Sequence, residues 1–164
     1  MVVGMKRNRK EIGIVPQSLC NVYIHFVWAT KERHSLISPQ IEPQLYEIIA
    51  AEVHASGCRL LAIGGMPDHV HLFCKMVTAI SIAELMNKVK GVSSRVANQN
   101  LFDDKSFAWQ NGFGAFSVGE PDVRSTINYI HNQKKHHREN SLFSDWEQFR
   151  DVTCKSPNFD RTIS

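Results

Sequence analysis

Met66-Pro67-Asp68-His69-Val70-His71-Leu72-Phe73-Cys74 is the stretch on which the reading of this chain turns. Taken as a β-strand, it alternates its side chains between two faces. Val70, Leu72, Cys74 and Met76 point one way and can cover a core; His69, His71, Phe73 and Lys75 point the other. Gly64, Gly65 and Pro67 predict a turn out of the preceding apolar run at residues 60–63. Two histidines two apart on a rigid strand can direct two nitrogens at one point, which suits a metal ion. The chain has 8 histidines, so a His-x-His also arises by chance. The plain alternative is two half-exposed imidazoles on a solvent-facing sheet.

The rest of the chain gives that strand a setting. At 164 residues, 43% hydrophobic and 21% charged, it has the size and composition of one globular domain with a real core. No apolar run approaches the length of a membrane span, and no apolar segment follows the basic start as in a signal peptide. The 4 cysteines (Cys20, Cys58, Cys74 and Cys154) form no Cys-x-x-Cys pair and read as thiols in a reducing cytoplasm. A net charge of +3 permits a polyanionic partner without arguing for one.

Residues 1–17 carry Lys6, Arg7, Arg9 and Lys10 and read as a basic arm outside the fold. Residues 19–30 read as a first strand, with Val22, Ile24, Phe26 and Trp28 alternating against Tyr23, His25 and Val27. The charged loop Lys31-Glu32-Arg33-His34 follows. Ser38 and Pro39 suit the start of a helix whose stripe is Ile41, Leu45, Ile48, Ile49 and Val53, closed by Gly57. Residues 58–63 and the histidine strand then make a hairpin. Ser81-Ile82-Ala83-Glu84 is a capping box. It opens a helix with Ile82, Leu85, Met86, Val89, Val92 and Val96 inward, flanked by Lys88, Lys90 and Arg95.

A glycine-rich aromatic strand spans residues 109–118. Its glycines would let a nucleic-acid chain approach, although a bulged strand packing Trp109, Phe113 and Phe116 inward explains them more simply. A third helix is predicted from Pro121 to about Asn140. On it Tyr129 and Gln133 are stacked i, i+4 neighbours on a polar edge. The cluster Lys134-Lys135-His136-His137-Arg138 ends it, and Leu142, Phe143, Trp146 and Phe149 predict a short amphipathic helix beyond. The order βαββαβ with an added helix predicts an α+β, ferredoxin-like sandwich: an antiparallel sheet with helices on one face and the histidines on the other. The tyrosine-bearing helix then lies across that second face, or across a partner's. The domain is expected over residues 18–153, with a polar tail over 154–164.

Five segments in this order resemble one family. They are Phe26-Val27-Trp28-Ala29-Thr30-Lys31, the histidine strand, Lys90-Gly91-Val92-Ser93-Ser94-Arg95, the run from Trp109 to Val118, and Tyr129-Ile130-His131-Asn132-Gln133 with His136-His137. Together they are similar to the single-tyrosine transposases of the insertion-sequence 200/605 type. These belong to the histidine–hydrophobe–histidine single-strand endonucleases. The resemblance covers residues 19–150 and excludes the basic arm. It implies a divalent metal held by His69, His71 and Gln133, with Tyr129 as nucleophile. Two imidazoles and an amide oxygen are neutral, so water and phosphate oxygens complete the shell, which suits Mg²⁺ or Mn²⁺. A free tyrosine has a pKa of about 10, so Tyr129 needs a positive surrounding or a base.

The implied partner is single-stranded DNA with hairpin ends, contacted through Lys31, Arg33, Lys88, Lys90, Arg95, Lys134, Lys135 and Arg138. The implied assembly is a homodimer in which Tyr129 and Gln133 complete the partner's histidine pair. The expected location is the cytoplasm, on the nucleoid when DNA is bound. A second reading is a protein of the same fold that binds hairpins without cutting them. A two-histidine phosphoesterase would need a second His-x-Ser/Thr motif in the other half of the chain, and none stands at a matching place.

Overall fold

The computed structural model describes residues 19–139. The predicted basic arm, the predicted amphipathic helix around Trp146 and the predicted polar tail lie outside the described residues. Four strands form one sheet: β1 (Tyr23–Ala29), β2 (Arg59–Met66), β3 (His69–Lys75) and β4 (Gly114–Val118). Their order is β2-β3-β1-β4, and every neighbouring pair is antiparallel. Together with α1 (Glu42–Ala55) and α2 (Ile82–Asn100), this is the expected ferredoxin-like α+β sandwich.

The period-two reading of β1 and β3 holds. Ile24, Phe26 and Trp28 join Val70, Leu72 and Cys74 in a core completed by α1 and α2. Apolar burial at about 25 cal/mol per Å² makes this layer the main source of stability. The capping box is present: Ser81 Oγ accepts from the Glu84 N–H at 3.2 Å, and the Ser81 N–H donates back to the Glu84 carboxylate at 3.4 Å. The inward face of α2 is rotated from the one expected. Ser93 and Ala97 are buried, whereas Ile82 is exposed. Ser93 is buried because its hydroxyl accepts from the Trp109 indole N–H at 2.9 Å, which satisfies two polar groups at once.

Several boundaries move. Helix α1 starts after Ile41 and carries Pro43, not Pro39, in its first turn. β2 runs through Gly64 and Gly65, leaving the turn to Pro67-Asp68. The aromatic segment is a strand only from Gly114 onward; Trp109 makes an isolated bridge to Thr30 and packs into the core beside Trp28. The predicted third helix is two: α3 (Val123–His131) and α4 (Gln133–Glu139), after a short 3₁₀ turn at Glu120–Asp122. Asn132 separates them at φ −100° and ψ 15°. Helices α3 and α4 lie against β2 and β3 on the face opposite α1 and α2. No helix among the described residues is long and apolar enough to cross a membrane.

Candidate active site

The second face of the sheet is where the histidines stand. His71 has Val27 and Gly64 as direct cross-strand neighbours, and His69 has Ala29 and Met66. Cross-strand partners share a face, so Ala29 and Gly64, with little or no side chain, leave room above the imidazoles. α3 fills it. His69 and His71 are not half-exposed: they are 2% and 0% accessible. Their ring centroids are 5.1 Å apart, and the Tyr129 ring stands 6.1 Å from that of His71, edge to face.

The polar edge expected on the third helix turns out to be its buried one. Thr126, Tyr129 and Gln133 all face inward. Thr126 returns its hydroxyl to the Asp122 carbonyl at 2.8 Å. Gln133 is 1% accessible, and neither atom of its amide has a hydrogen-bond partner among the described residues. A buried amide left so costs about 1–3 kcal/mol. Half-buried His136 stacks on Tyr129, ring centroids 4.9 Å apart, and half-buried His137 lies 5.3 Å from His69.

Each strand histidine is oriented through its Nδ1. The His69 Nδ1 is 2.7 Å from Asp68 Oδ1, and the His71 Nδ1 is 2.9 Å from His25 Nε2. Each bond fixes the orientation of its ring. Burial pushes the Asp68 carboxyl upward, but the hydrogen bond and charge of His69 and the Arg33 guanidinium outweigh it and hold the group below its ordinary range. Arg33 Nε donates to Asp68 Oδ2 at 2.9 Å. The loop that delivers Arg33 is strained: Glu32 and Arg33 have φ of 55° and 54°. It is tied down by the Lys31 N–H to the Ala108 carbonyl and the Glu32 N–H to the Gln110 side chain. Thr30 fixes the other end, donating its N–H and its hydroxyl to the Asp68 carbonyl at 2.9 and 3.1 Å.

The residues expected to contact DNA are divided by the fold. Arg33 stands at the site. Lys31, Lys135 and Arg138 are exposed, and Lys134 pairs with Glu42 at 2.5 Å. Lys88, Lys90 and Arg95 do not line the site, because α2 packs on the opposite face of the sheet. Lys90 is a structural clamp: its ammonium donates to the carbonyls of Gln110 and Gly112 at 2.7 and 2.6 Å, and burial lowers its pKa. His25 and Asp68 were passed over as site residues. The signal for His25 was its parity with Val27 on the first strand, but only the pairing of β1 with β3 carries it to His71.

Tyr129 stands beside the His71 of its own chain, so within one chain the residues of the site already meet. No group of three or more His, Cys, Asp or Glu is placed to hold a metal among the described residues. A metal here would rest on the two imidazoles and the Gln133 amide oxygen. That donor set fits a hard divalent ion that keeps waters, and the Gln133 amide, without a partner among the described residues, is the group such an ion would satisfy.

Gly64 lets the tyrosine helix come this close. A Cβ there would stand 2.5 Å from the Ile130 carbonyl oxygen, which is backbone and cannot swing aside. Gly64→Val is therefore expected to lift α3 from the sheet, parting Tyr129 from His71 and costing about 1–3 kcal/mol of stability. Gly91→Ala is the control, because nothing lies within 4 Å of its Cβ position on α2. That change should stabilise by about 0.4–1 kcal/mol. Thermal melting of both variants checks the pair.

The family resemblance carried by the five sequence segments holds. The chain belongs to the family of IS200-like transposases, whose model matches residues 18–133. It is 28% identical over 115 residues to the ISDra2 transposase TnpA of Deinococcus radiodurans, covering 66% of this chain and 81% of that protein. A crystal structure of a candidate transposase from Deinococcus radiodurans R1 superposes with a TM-score of 0.59 at 27% identity, over 79% of this chain and 98% of that one. The REP-associated tyrosine transposase bound to a REP hairpin has the same fold, with a TM-score of 0.57 at 17% identity over 87% of this chain and 81% of that one.

Proposed function

We propose that this protein cuts and rejoins single-stranded DNA through a 5′-phosphotyrosine at Tyr129, with a divalent metal held by His69, His71 and Gln133. The observation that carries the reading is the meeting of Tyr129 with His71 over the same sheet face, next to a buried Gln133 whose amide has no partner among the described residues. Bound there, Mg²⁺ or Mn²⁺ supplies a positive centre that polarises the scissile phosphate. The chain's own residues do the rest. Tyr129 is oriented by the stacked His136 ring and by α3 packed on Gly64. Its phenol oxygen loses a proton and attacks phosphorus; the P–O3′ bond breaks and leaves a 3′-hydroxyl. Attack by a 3′-hydroxyl on the phosphotyrosine reverses the exchange. One phosphoester replaces another each time, so joining needs no nucleotide triphosphate.

The proposed partner is single-stranded DNA with a hairpin, the shape recognised by the solved REP-associated relative. Lys31, Arg33, Lys135 and Arg138 are the phosphate contacts best placed for it. A homodimer joined at β4 fits the sheet, since β4 pairs only with β1 among the described residues and an open edge favours pairing. Incubation with single-stranded hairpin DNA and Mg²⁺ tests the reading on a denaturing gel. A covalent protein–DNA adduct that disappears with EDTA is expected, together with DNA binding that weakens steeply with salt. Binding without any adduct would overturn cutting and favour the hairpin-binding protein.

A further inference from the structure

We infer that His25, on the neighbouring strand, is a positioning residue for the metal site: it accepts a hydrogen bond from the Nδ1–H of His71 and so fixes the tautomer in which His71 presents Nε2 to a divalent cation. This rests on the proposed role of His71 as a ligand.

His25 is 0% accessible, and its Nε2 lies 2.9 Å from the His71 Nδ1. The ring planes are 20° from parallel and the centroids 5.1 Å apart; with the nitrogens 2.9 Å apart, that separation puts both nitrogens close to the line joining the centroids, so the contact runs near the ring planes, where the nitrogen lone pair and N–H point. A neutral imidazole carries one proton on one of two nitrogens. For His71 to ligate through Nε2, its proton must sit on Nδ1 and needs an acceptor there. His25 Nε2 is at that place, and accepting puts the His25 proton on Nδ1. A buried imidazole with no acceptor would lose orientation and favour the wrong tautomer. His25 also stays put: it is flanked by Phe73 and Phe116 across the two ladders of β1.

The two proposed ligands are thus supported unequally. Asp68 backs His69 with a carboxylate shared with Arg33, and His25 backs His71 with a ring. A carboxylate behind both ligands would add negative charge to the site. A ring behind one of them orients without that charge, which leaves a bound cation a stronger pull on phosphate oxygen.

The test measures Mn²⁺ affinity by electron paramagnetic resonance in the Tyr129→Phe protein, so that no activity is read. Substituting His25→Phe, which fills the space but cannot accept, is expected to weaken Mn²⁺ binding about 10–100-fold. Replacement by Gln, whose oxygen reaches the same place as Nε2, should recover most of it. Equal Mn²⁺ affinity in the His25→Phe and parent proteins would overturn the role of His25 while leaving the metal site standing. Absence of Mn²⁺ binding in the parent protein would instead overturn the ligand assignment on which the inference rests. A variant-free measurement covers a His25→Phe protein that does not fold. In the Mg²⁺-loaded parent, nitrogen-15 spectra should show the His71 proton on Nδ1 and the His25 proton on Nδ1. A His71 proton on Nε2 would overturn the inference outright.

Discussion

Tyr129→Phe is expected to keep the fold and the affinity for hairpin DNA while covalent adduct falls by at least about a thousandfold, the scale of losing a nucleophile. The substitution removes one oxygen and leaves the ring. The ring is what packs: Tyr129 is 4% accessible, sits with Ala62, Phe73 and Ile130, and stacks on His136. Melting temperature should therefore move little, and gel-shift affinity should match the wild type. Denaturing gels with labelled single-stranded DNA read the adduct. Undiminished adduct in the variant would move the nucleophile elsewhere.

The second large effect concerns the strand histidines. His69→Ala with His71→Ala should abolish Mg²⁺-dependent cleavage. Some stability should be lost as well, because both rings are buried under α3 and α4. A cost of about 0.5–3 kcal/mol for each is the ordinary range for removing a buried side chain. Two half-exposed imidazoles on a solvent-facing sheet could instead be removed almost freely. The same protein settles how sites are shared. In this structure Tyr129 meets the His71 of its own chain. Mixing the double histidine variant with Tyr129→Phe should then restore no cleavage, since neither chain carries a whole site. Recovered cleavage would show that helices α3 and α4 change partners in solution.

Much of the fold was legible in the residues. Alternation in Val70, Leu72 and Cys74 against His69, His71 and Phe73 needs no tertiary information, because a strand's two faces follow from backbone geometry. The Ser81–Glu84 cap is equally local: donor and acceptor are three residues apart and meet once the first turn forms. The order of strands and helices, with the aromatic and histidine segments in sequence, was enough for the sandwich and the family.

What depended on tertiary structure is everything set by register and by the side of the sheet on which a helix lands. Arg33 as a partner of Asp68 requires a strained loop anchored to residues 108 and 110. Lys88, Lys90 and Arg95 read as site residues because charge on a helix carries no label for the sheet face beneath it; the packing of Leu85, Met86 and Val89 against β1 and β3 places them on the far side. Gly64 and Gly65 read as a turn, since glycine marks turns and close approaches alike. Only the docked Ile130 carbonyl shows that Gly64 is a close approach. His25 is the clearest case. Its outward parity on β1 was visible in the chain, but a one-residue slip in the pairing of β1 with β3 would have put it on the other face from His71. The contact between His25 and His71 joins residues 46 apart in sequence and exists only once the sheet has formed.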